Sequence, residues 1–593
     1  MKDYEKSGHI TKITAAELSE TEETYFIPHQ AVIRPDSLTT KLRVVFDASA
    51  KTTLGTSLND KLMPGPNLHN DLIKILLRFR MHQHVITADI AQMFHQIRID
   101  KRDRQLQLIL WRNDAKEASH IYQLNTVTYG IASAPYHAIR CLRELAIQHQ
   151  EDYPIAARAV NEDFYMDDLL SREATHQEVI ELQRQLIELL QKGQFLLRKW
   201  RSNENKNLQP LLNQPKKNEL LILDKDAAKT LGLLWHASKD VLQYKVDLPK
   251  QQNLTKRLTL STIFQIYDPL GLIGPILIRE KIFIQKLWME ELPWDKPLPV
   301  HHVTAWRRYH DSLSELNALQ LSRNVNPDNI VGKIDLFGFG DASQNAFGAC
   351  LYVVSTDQSG NINSYLLCAK SKVASLKTLS LLRLELEAAL LSAQLIHSVK
   401  LALHGRMHRI LLWSNSTIVL EWIRTEPHAL KTFVANRVAK IQELTQEGAM
   451  WRHVPSEENP ADLLSRGTTV ADLHRNSLWW EGPAWIKEKG QCPKQSEIYD
   501  TELPEMRNIL VALISARSSS APLLPECESF NKLCRIAYCF RFASIRKPPF
   551  IEKRLSKTHK DVKPPEIAEL IRAERVIVKW IQKEEFPHEL RSL

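Results

Sequence analysis

Phe164-Tyr165-Met166-Asp167-Asp168-Leu169 sets two acids side by side between apolar residues. A buried carboxylate pair is costly unless something positive neutralises it. If residues 164–166 and 169–170 are the arms of a hairpin, the acids fall at a tight turn and can hold a metal ion. Taken alone, the same letters fit a solvated turn equally well. A third acid changes the weighing. Asp89 ends the apolar, β-branched run VITADI (85–90), 78 positions before Asp167, ample for the two strands to become neighbours in one sheet. Three carboxylates converging on a sheet suit Mg²⁺, which prefers oxygen ligands and keeps water and phosphate in its shell. Two such ions roughly 4 Å apart can activate a hydroxyl and stabilise a leaving pyrophosphate.

Outward from this stretch, THQEVIELQRQLIELLQKG (175–193) puts apolar residues at helical spacing, with Gly193 as a stop. Residues 25–205 mix short β-rich runs with helical stretches, and Pro-containing loops near 206–216 and 292–300 break the pattern. A second acid-bearing series follows. Asp341 lies on the strand FGFGDAS, Glu385 in the helix RLELEAALLSAQLIHSVKLAL (383–403), and Asp462 in HVPSEENPADLLSRG, with the strand RILLWSN (409–415) between the last two. Singly, Glu385 reads as an exposed helix acid and Asp462 as a charge at a helix start. The Lys- and Pro-rich run at 547–565 reads as a linker into a final helix at about 566–583.

A chain of 593 residues exceeds what one core can organise, and domains of roughly 100–200 residues imply about three or four. No apolar run reaches the roughly 18–20 residues of a bilayer span, and the N-terminus lacks an apolar signal-peptide core; no membrane partner is expected. The net charge of +9 suits an anionic partner such as nucleic acid. The seven cysteines are scattered without a CxxC pair, which argues against a zinc site and for buried reduced thiols.

YMDD, with TADIAQMF upstream and YGIASAP between, resembles the reverse transcriptase family. FLLRKWRSN (195–203), TLGLLWH (230–236) and IYDPLGLIGP (266–275) narrow the resemblance to the BEL/Pao group of long-terminal-repeat retrotransposons, over about residues 25–500. It implies an α+β multidomain fold: a right-hand polymerase of fingers, palm and thumb, then an α/β RNase H-like domain and a helical tail. The expected divisions are 1–245 for fingers, palm and primer grip, 246–328 for thumb or connection, 329–470 for the RNase H-like domain and 471–593 for the tail. Asp89, Asp167 and Asp168 are implied as the catalytic acids and ligands of two Mg²⁺, with Mn²⁺ as a substitute. Lys41 and Arg43 match the strand that grips the incoming triphosphate, and Arg suits bidentate phosphate contact. Phe94 falls at the steric gate against a 2′-hydroxyl. Gly130, Ala134 and Pro135 match the loop facing template and nucleotide, where small residues let backbone approach the base pair. Lys199 falls near the triphosphate, and Leu231, Gly232 and Trp235 at the primer grip. Gln92 stands where some relatives are acidic. The first fingers elements look missing, and neither the protease nor the integrase acids are expected in this chain.

GFGDAS, RLELEA and NPADLLSRG resemble the group's RNase H pattern, implying Asp341, Glu385 and Asp462 as ligands for two further Mg²⁺. The family's fourth acid is replaced by Asn415 in Trp413-Ser414-Asn415-Ser416. An amide keeps an oxygen but loses the charge, so an impaired or dead nuclease on a preserved fold is expected, holding RNA–DNA hybrid by shape. The implied activity is RNA- and DNA-directed DNA synthesis. Its partners are RNA template, DNA primer, RNA–DNA hybrid, dNTPs and other Pol and Gag products, in cytoplasmic virus-like particles. The alternative is a catalytically inactive relic or a co-opted nucleic-acid binder; a polyprotein scaffold segment is a third reading.

Overall fold

The computed structural model of the chain describes residues 1–18, 23–33, 42–208, 228–230, 233–248, 253–326, 333–403, 407–446, 448–488, 493 and 503–507, and beyond these only positions 537, 570, 571, 573 and 575. Two units are defined, Met1–Asn508 and Ile509–Leu593. The expected linker at 547–565 lies outside the described residues, and the expected final helix is represented only by the helical positions 570, 571, 573 and 575.

In the first unit, strand His84–Ile90 runs between Asp168–Glu173 and Leu197–Ser202, both antiparallel to it, with Phe164–Tyr165 at the outer edge. The run HVITADI is buried almost throughout, because both faces of this sheet are covered. One face packs on helices Ala134–Gln148, Pro154–Glu162 and His176–Lys192, whose Leu142, Val160, Leu182 and Leu186 join Ile86, Ala88 and Leu169 in one core. The helix expected at 175–193 forms at His176–Lys192; Thr175 caps it reciprocally with Glu178, and Gly193 ends it. Helix Leu72–Met81 contributes Ile75, Leu76 and Phe79 to a second core with Val85 and Leu170.

A smaller body is built from the sheet Ile10–Ile13, His120–Leu124, Leu108–Trp111 and the hairpin His29–Ile33/Leu42–Phe46. Strand Ile10–Ile13 joins this sheet by pairing antiparallel with His120–Leu124.

The third body is a five-stranded sheet in the order Ile362–Val373, Ala346–Thr356, Ile334–Ala342, Met407–Ser414, Ala449–His453. Its first three strands are antiparallel and its last two join in parallel. Helix Leu381–Leu403 lies on it. That helix has the length and composition of a membrane span, contrary to the sequence expectation, but more than half of its apolar window is buried in the protein. Gly340 is what lets it lie close: a Cβ there would meet Ser392 Oγ at 2.7 Å and the Ala388 carbonyl oxygen at 3.1 Å.

Two expected boundaries do not separate bodies. Helix Gly274–Met289, assigned from sequence to a thumb or connection, belongs with this sheet: the Ala369 amide donates to Leu270 O at 2.8 Å and the Thr468 amide to Pro275 O at 3.0 Å. The segment LWWEGPAWI, assigned to the tail, also belongs to the core. Trp479 is fully buried and donates to Leu272 O at 2.9 Å, and Trp485 packs 4.8 Å from Trp413. Aromatic rings of this size are buried wherever a surface accepts them.

Candidate active sites

The hairpin expected at FYMDDL is present. Tyr165 pairs with Asp168 across a two-residue turn, and Met166 takes φ 57, the left-handed conformation that tight hairpin turns require. Asp168 opens the next strand and lies directly opposite Asp89, so both side chains leave the same face of the sheet. Asp167 is tied to that strand through its backbone, whose carbonyl accepts from the Ile90 amide at 2.8 Å. The three expected acids therefore meet at one edge.

Crowding shows in their protonation. Burial, then repulsion from Asp167 and Asp89, pushes Asp168 up to about 7. Asp167 is also raised, by desolvation and by Asp89, with Lys199 and Arg43 acting in the opposite direction. Oxygen-only donors crowded until they resist ionisation are what a hard dication relieves, so the residues fit Mg²⁺.

Lys199 reaches this cluster by a bulge. Asp89 pairs with Arg198 and Thr87 with Arg201, leaving Lys199 and Trp200 opposite Ala88 alone. Lys199 has φ 55, and its ammonium forms an ion pair with Asp89. Arg43 lies exposed on strand Leu42–Phe46, opposite Val32. Phe94 sits half-buried in the turn Met93–Gln96, packed against both adjoining cores. Gly130 has φ 95, and a Cβ would stand 2.2 Å from the Phe46 carbonyl oxygen, so only glycine fits. Pro135 opens helix Ala134–Gln148. Gln92, exposed and left-handed at φ 50, turns the chain from strand to Phe94.

Lys41, Leu231 and Gly232 lie outside the described residues. Trp235 is buried, edge-on to Phe79 at 5.1 Å, and donates to Asp240 Oδ1 at 3.0 Å. It holds its hairpin from below and has no surface to offer a primer.

Sequence reasoning missed the support behind the hairpin. Buried Asp163 accepts from Ser171 Oγ at 2.7 Å, from Arg172 at 2.6 Å and from Arg78 at 3.3 Å. An acid directly before FYMDDL was the available signal. Asn59 was missed too: it accepts from the Ala132 amide at 2.8 Å and donates to Gly130 O at 2.9 Å, fixing the glycine loop.

In the second sheet, Asp341 sits near the end of its strand, Glu385 in the helix above Gly340, Asn415 just past strand Met407–Ser414, and Asp462 opens helix Asp462–Arg466. Asp341 is fully engaged: Ser465 Oγ donates to Oδ2 at 2.6 Å and the Asn415 amide nitrogen to Oδ1 at 2.8 Å. Arg466 binds Asp462 at 2.5 Å. Burial, then Asp341, pushes Glu385 up to about 8, and burial pushes Asp341 up to about 6. Glu385 Oε2 and Asn415 Oδ1 are buried oxygens with no hydrogen-bond partner. The donor set fits a divalent ion in kind, one carboxylate short in charge. Ser465 and Arg466 were legible only as the i+3 and i+4 neighbours of Asp462 on its helix.

Residues 10–207 match the family model of the reverse transcriptase (RNA-dependent DNA polymerase), so this part of the chain is a reverse transcriptase domain. Residues 255–416 match the family model of the Pao retrotransposon-like RNaseH-like domain. The chain thus joins an RNA-directed DNA polymerase module to a Pao-type RNase H-like domain. No curated protein matches it. Among solved structures, it is similar to the foamy viral protease-reverse transcriptase dRH in complex with ds DNA, at 14% identity over 76% of this chain and 68% of that one, TM-score 0.47. It is also similar to the foamy viral protease-reverse transcriptase with RNA/DNA hybrid, at 13% identity over 79% and 54%, TM-score 0.49. The same protein with dsDNA gives 14% identity over 77% and 81%, TM-score 0.48.

Proposed function

We propose that this chain extends a DNA primer on RNA and DNA templates, with Asp89, Asp167 and Asp168 as its catalytic acids. The observation that carries the reading is the direct cross-strand pairing of Asp89 with Asp168, with Asp167 bonded into the same strand end. These three carboxylates would hold two Mg²⁺, which when bound supply activation of the primer hydroxyl and stabilisation of the leaving pyrophosphate. The chain's own residues position and neutralise. Arg43 and Lys199 flank the acids with positive charge for the triphosphate, Phe94 excludes the 2′-hydroxyl, and the Gly130 loop admits the base pair. Such a reaction needs positioning and electrostatics more than covalent catalysis. The RNase H-like site, with Asn415 for a fourth acid, holds metal weakly and serves hybrid binding more than cleavage. The setting implied is a cytoplasmic virus-like particle, shared with other Pol and Gag products.

The test is primer extension on an RNA template with dNTPs and Mg²⁺. Wild type extends and Asp167→Asn does not. A folded wild-type chain that binds primer–template yet adds no nucleotide would leave the inactive nucleic-acid binder as the better account.

A further inference from the structure

Outside both acid clusters, at the corner where helix Gly274–Met289 turns into helix Val300–Ser312, Glu290, His301 and His302 bring one ligand atom each within 4.8 Å of one another. The arrangement is specific. Glu290 is the residue on which the first helix ends. His302 is buried, its ring edge-on to Phe283 at 5.7 Å, and its Nε2 lies 2.8 Å from Glu290 Oε2. Adjacent helical side chains diverge by about 100°, yet the His301 ring folds back to 4.0 Å from the His302 ring. A buried imidazole held by packing, an exposed imidazole brought over it and a carboxylate converge on one point.

We propose that Glu290, His301 and His302 form a binding site for a divalent transition metal of the zinc class. Two imidazole nitrogens and one carboxylate are the donor set such ions take, with the fourth position left to water. Mg²⁺, which the carboxylate-only clusters suit, has no preference for imidazole. The ion would clasp the ends of the two helices, replacing the His302–Glu290 hydrogen bond and drawing in His301. Bridging the 290–301 segment, it would restrain the loop that carries exposed Trp294. This inference stands apart from the polymerase reading, since none of these residues belongs to either acid cluster.

The test uses the full chain without an affinity tag, stripped with chelator and titrated with Zn²⁺ by calorimetry and with Co²⁺ by its visible spectrum. One equivalent is expected, with the intense d–d bands of a tetrahedral cobalt centre. His301→Ala, an exposed position whose loss leaves the core intact, and Glu290→Gln should each weaken that binding by more than about tenfold; loss of mere outer partners already costs that much at metal sites. Neither variant should alter primer extension in Mg²⁺. Absence of a stoichiometric cobalt spectrum, or binding that both variants leave unchanged, overturns the proposal.

Discussion

The Asn415 side-chain amide donates a hydrogen bond to Asp341 Oδ1 at 2.8 Å. A carboxylate at that position would instead repel Asp341 until a cation came between them. The amide thus does by itself part of what a metal would do, at lower charge.

Asn415→Asp is therefore expected to make this site metal-dependent. Two readouts follow: cleavage of the RNA strand in a labelled RNA–DNA hybrid should rise, and Mg²⁺ should raise the melting temperature of the variant more than that of wild type, since an ion bound only by the folded state stabilises it. If cleavage and the Mg²⁺-dependent shift both stay at wild-type values, Asn415 is not what limits the site.

In the proposed reading, Lys199 competes for a carboxylate that a polymerase metal would need. Its ammonium is paired with Asp89. Lys199→Met removes the competitor and should lower the Mg²⁺ concentration giving half-maximal primer extension, while slowing extension at saturating Mg²⁺ because a charge facing the triphosphate is gone. An unchanged or raised Mg²⁺ requirement would count against a direct Lys199–Asp89 competition.

Gly130→Ala should cost roughly 2–4 kcal/mol of stability, the sum of a left-handed alanine and displaced backbone. The added methyl would stand 2.2 Å from the Phe46 carbonyl oxygen, so the loop must move away from strand Leu42–Phe46, which carries Arg43. Chemical denaturation measures the first effect. The second should appear as a raised KM for dNTP; a destabilised variant with unchanged dNTP kinetics would confine the glycine to a folding role.

The acids were legible because the physics that buries a strand also marks where it ends: Asp89 closes VITADI and Asp167-Asp168 interrupt an apolar hairpin. The order of the RNase H-like elements was legible from alternating strand and helix periods for the same reason. What sequence concealed depended on contacts between distant segments. Trp235 looked available to a primer, but its face is taken by Phe79. The bulge at Lys199 is set by pairing with His84–Ile90 and leaves no local mark. Boundaries drawn at 328 and 470 failed to describe bodies because elements of both segments close on residues far along the chain.

His95 carries a pH dependence that can be signed. It is packed against His9 at 4.8 Å, Tyr4 at 5.1 Å and Tyr129 at 5.8 Å, and burial, then the charge of His9, lowers it from 6.5 to about 4. A histidine depressed in the folded state contributes stability that is present above its unfolded pKa and lost as pH falls towards the folded one. The window is thus pH 6.5 down to about 4. His95→Phe keeps a ring and removes the proton site. The difference between wild-type and variant unfolding free energies should change across that window and be flat above it. A difference curve flat throughout would mean that His95 titrates as it does in the unfolded chain.

The polymerase and RNase H-like parts are joined through a buried guanidinium. Arg80, buried on helix Leu72–Met81, donates to the carbonyls of Ser322 at 3.3 Å, Arg323 at 3.2 Å, Leu366 at 3.0 Å and Leu367 at 2.5 Å. Arg323 returns the arrangement: it pairs with Asp240 at 2.5 Å and donates to His82 O at 2.7 Å and Gln83 O at 3.1 Å. Leu366 and Leu367 lie on the RNase H-like sheet, so one guanidinium ties the helix beneath the polymerase strands to the other body. Burial lowers Arg80 only to about 10, so it stays charged at neutral pH, held by carbonyl dipoles. Arg80→Met keeps the apolar stem but leaves four carbonyl oxygens without this donor, and breaking a buried charged network costs roughly 3–5 kcal/mol. Because the missing bonds span the joint, the loss should fall on coupling as well as stability. Calorimetry of the intact chain should show the two bodies melting together in wild type and resolve them into separate transitions in Arg80→Met. A variant that melts lower but still in one step would assign the coupling to the shared apolar core of Phe79, Trp235 and Leu272 instead.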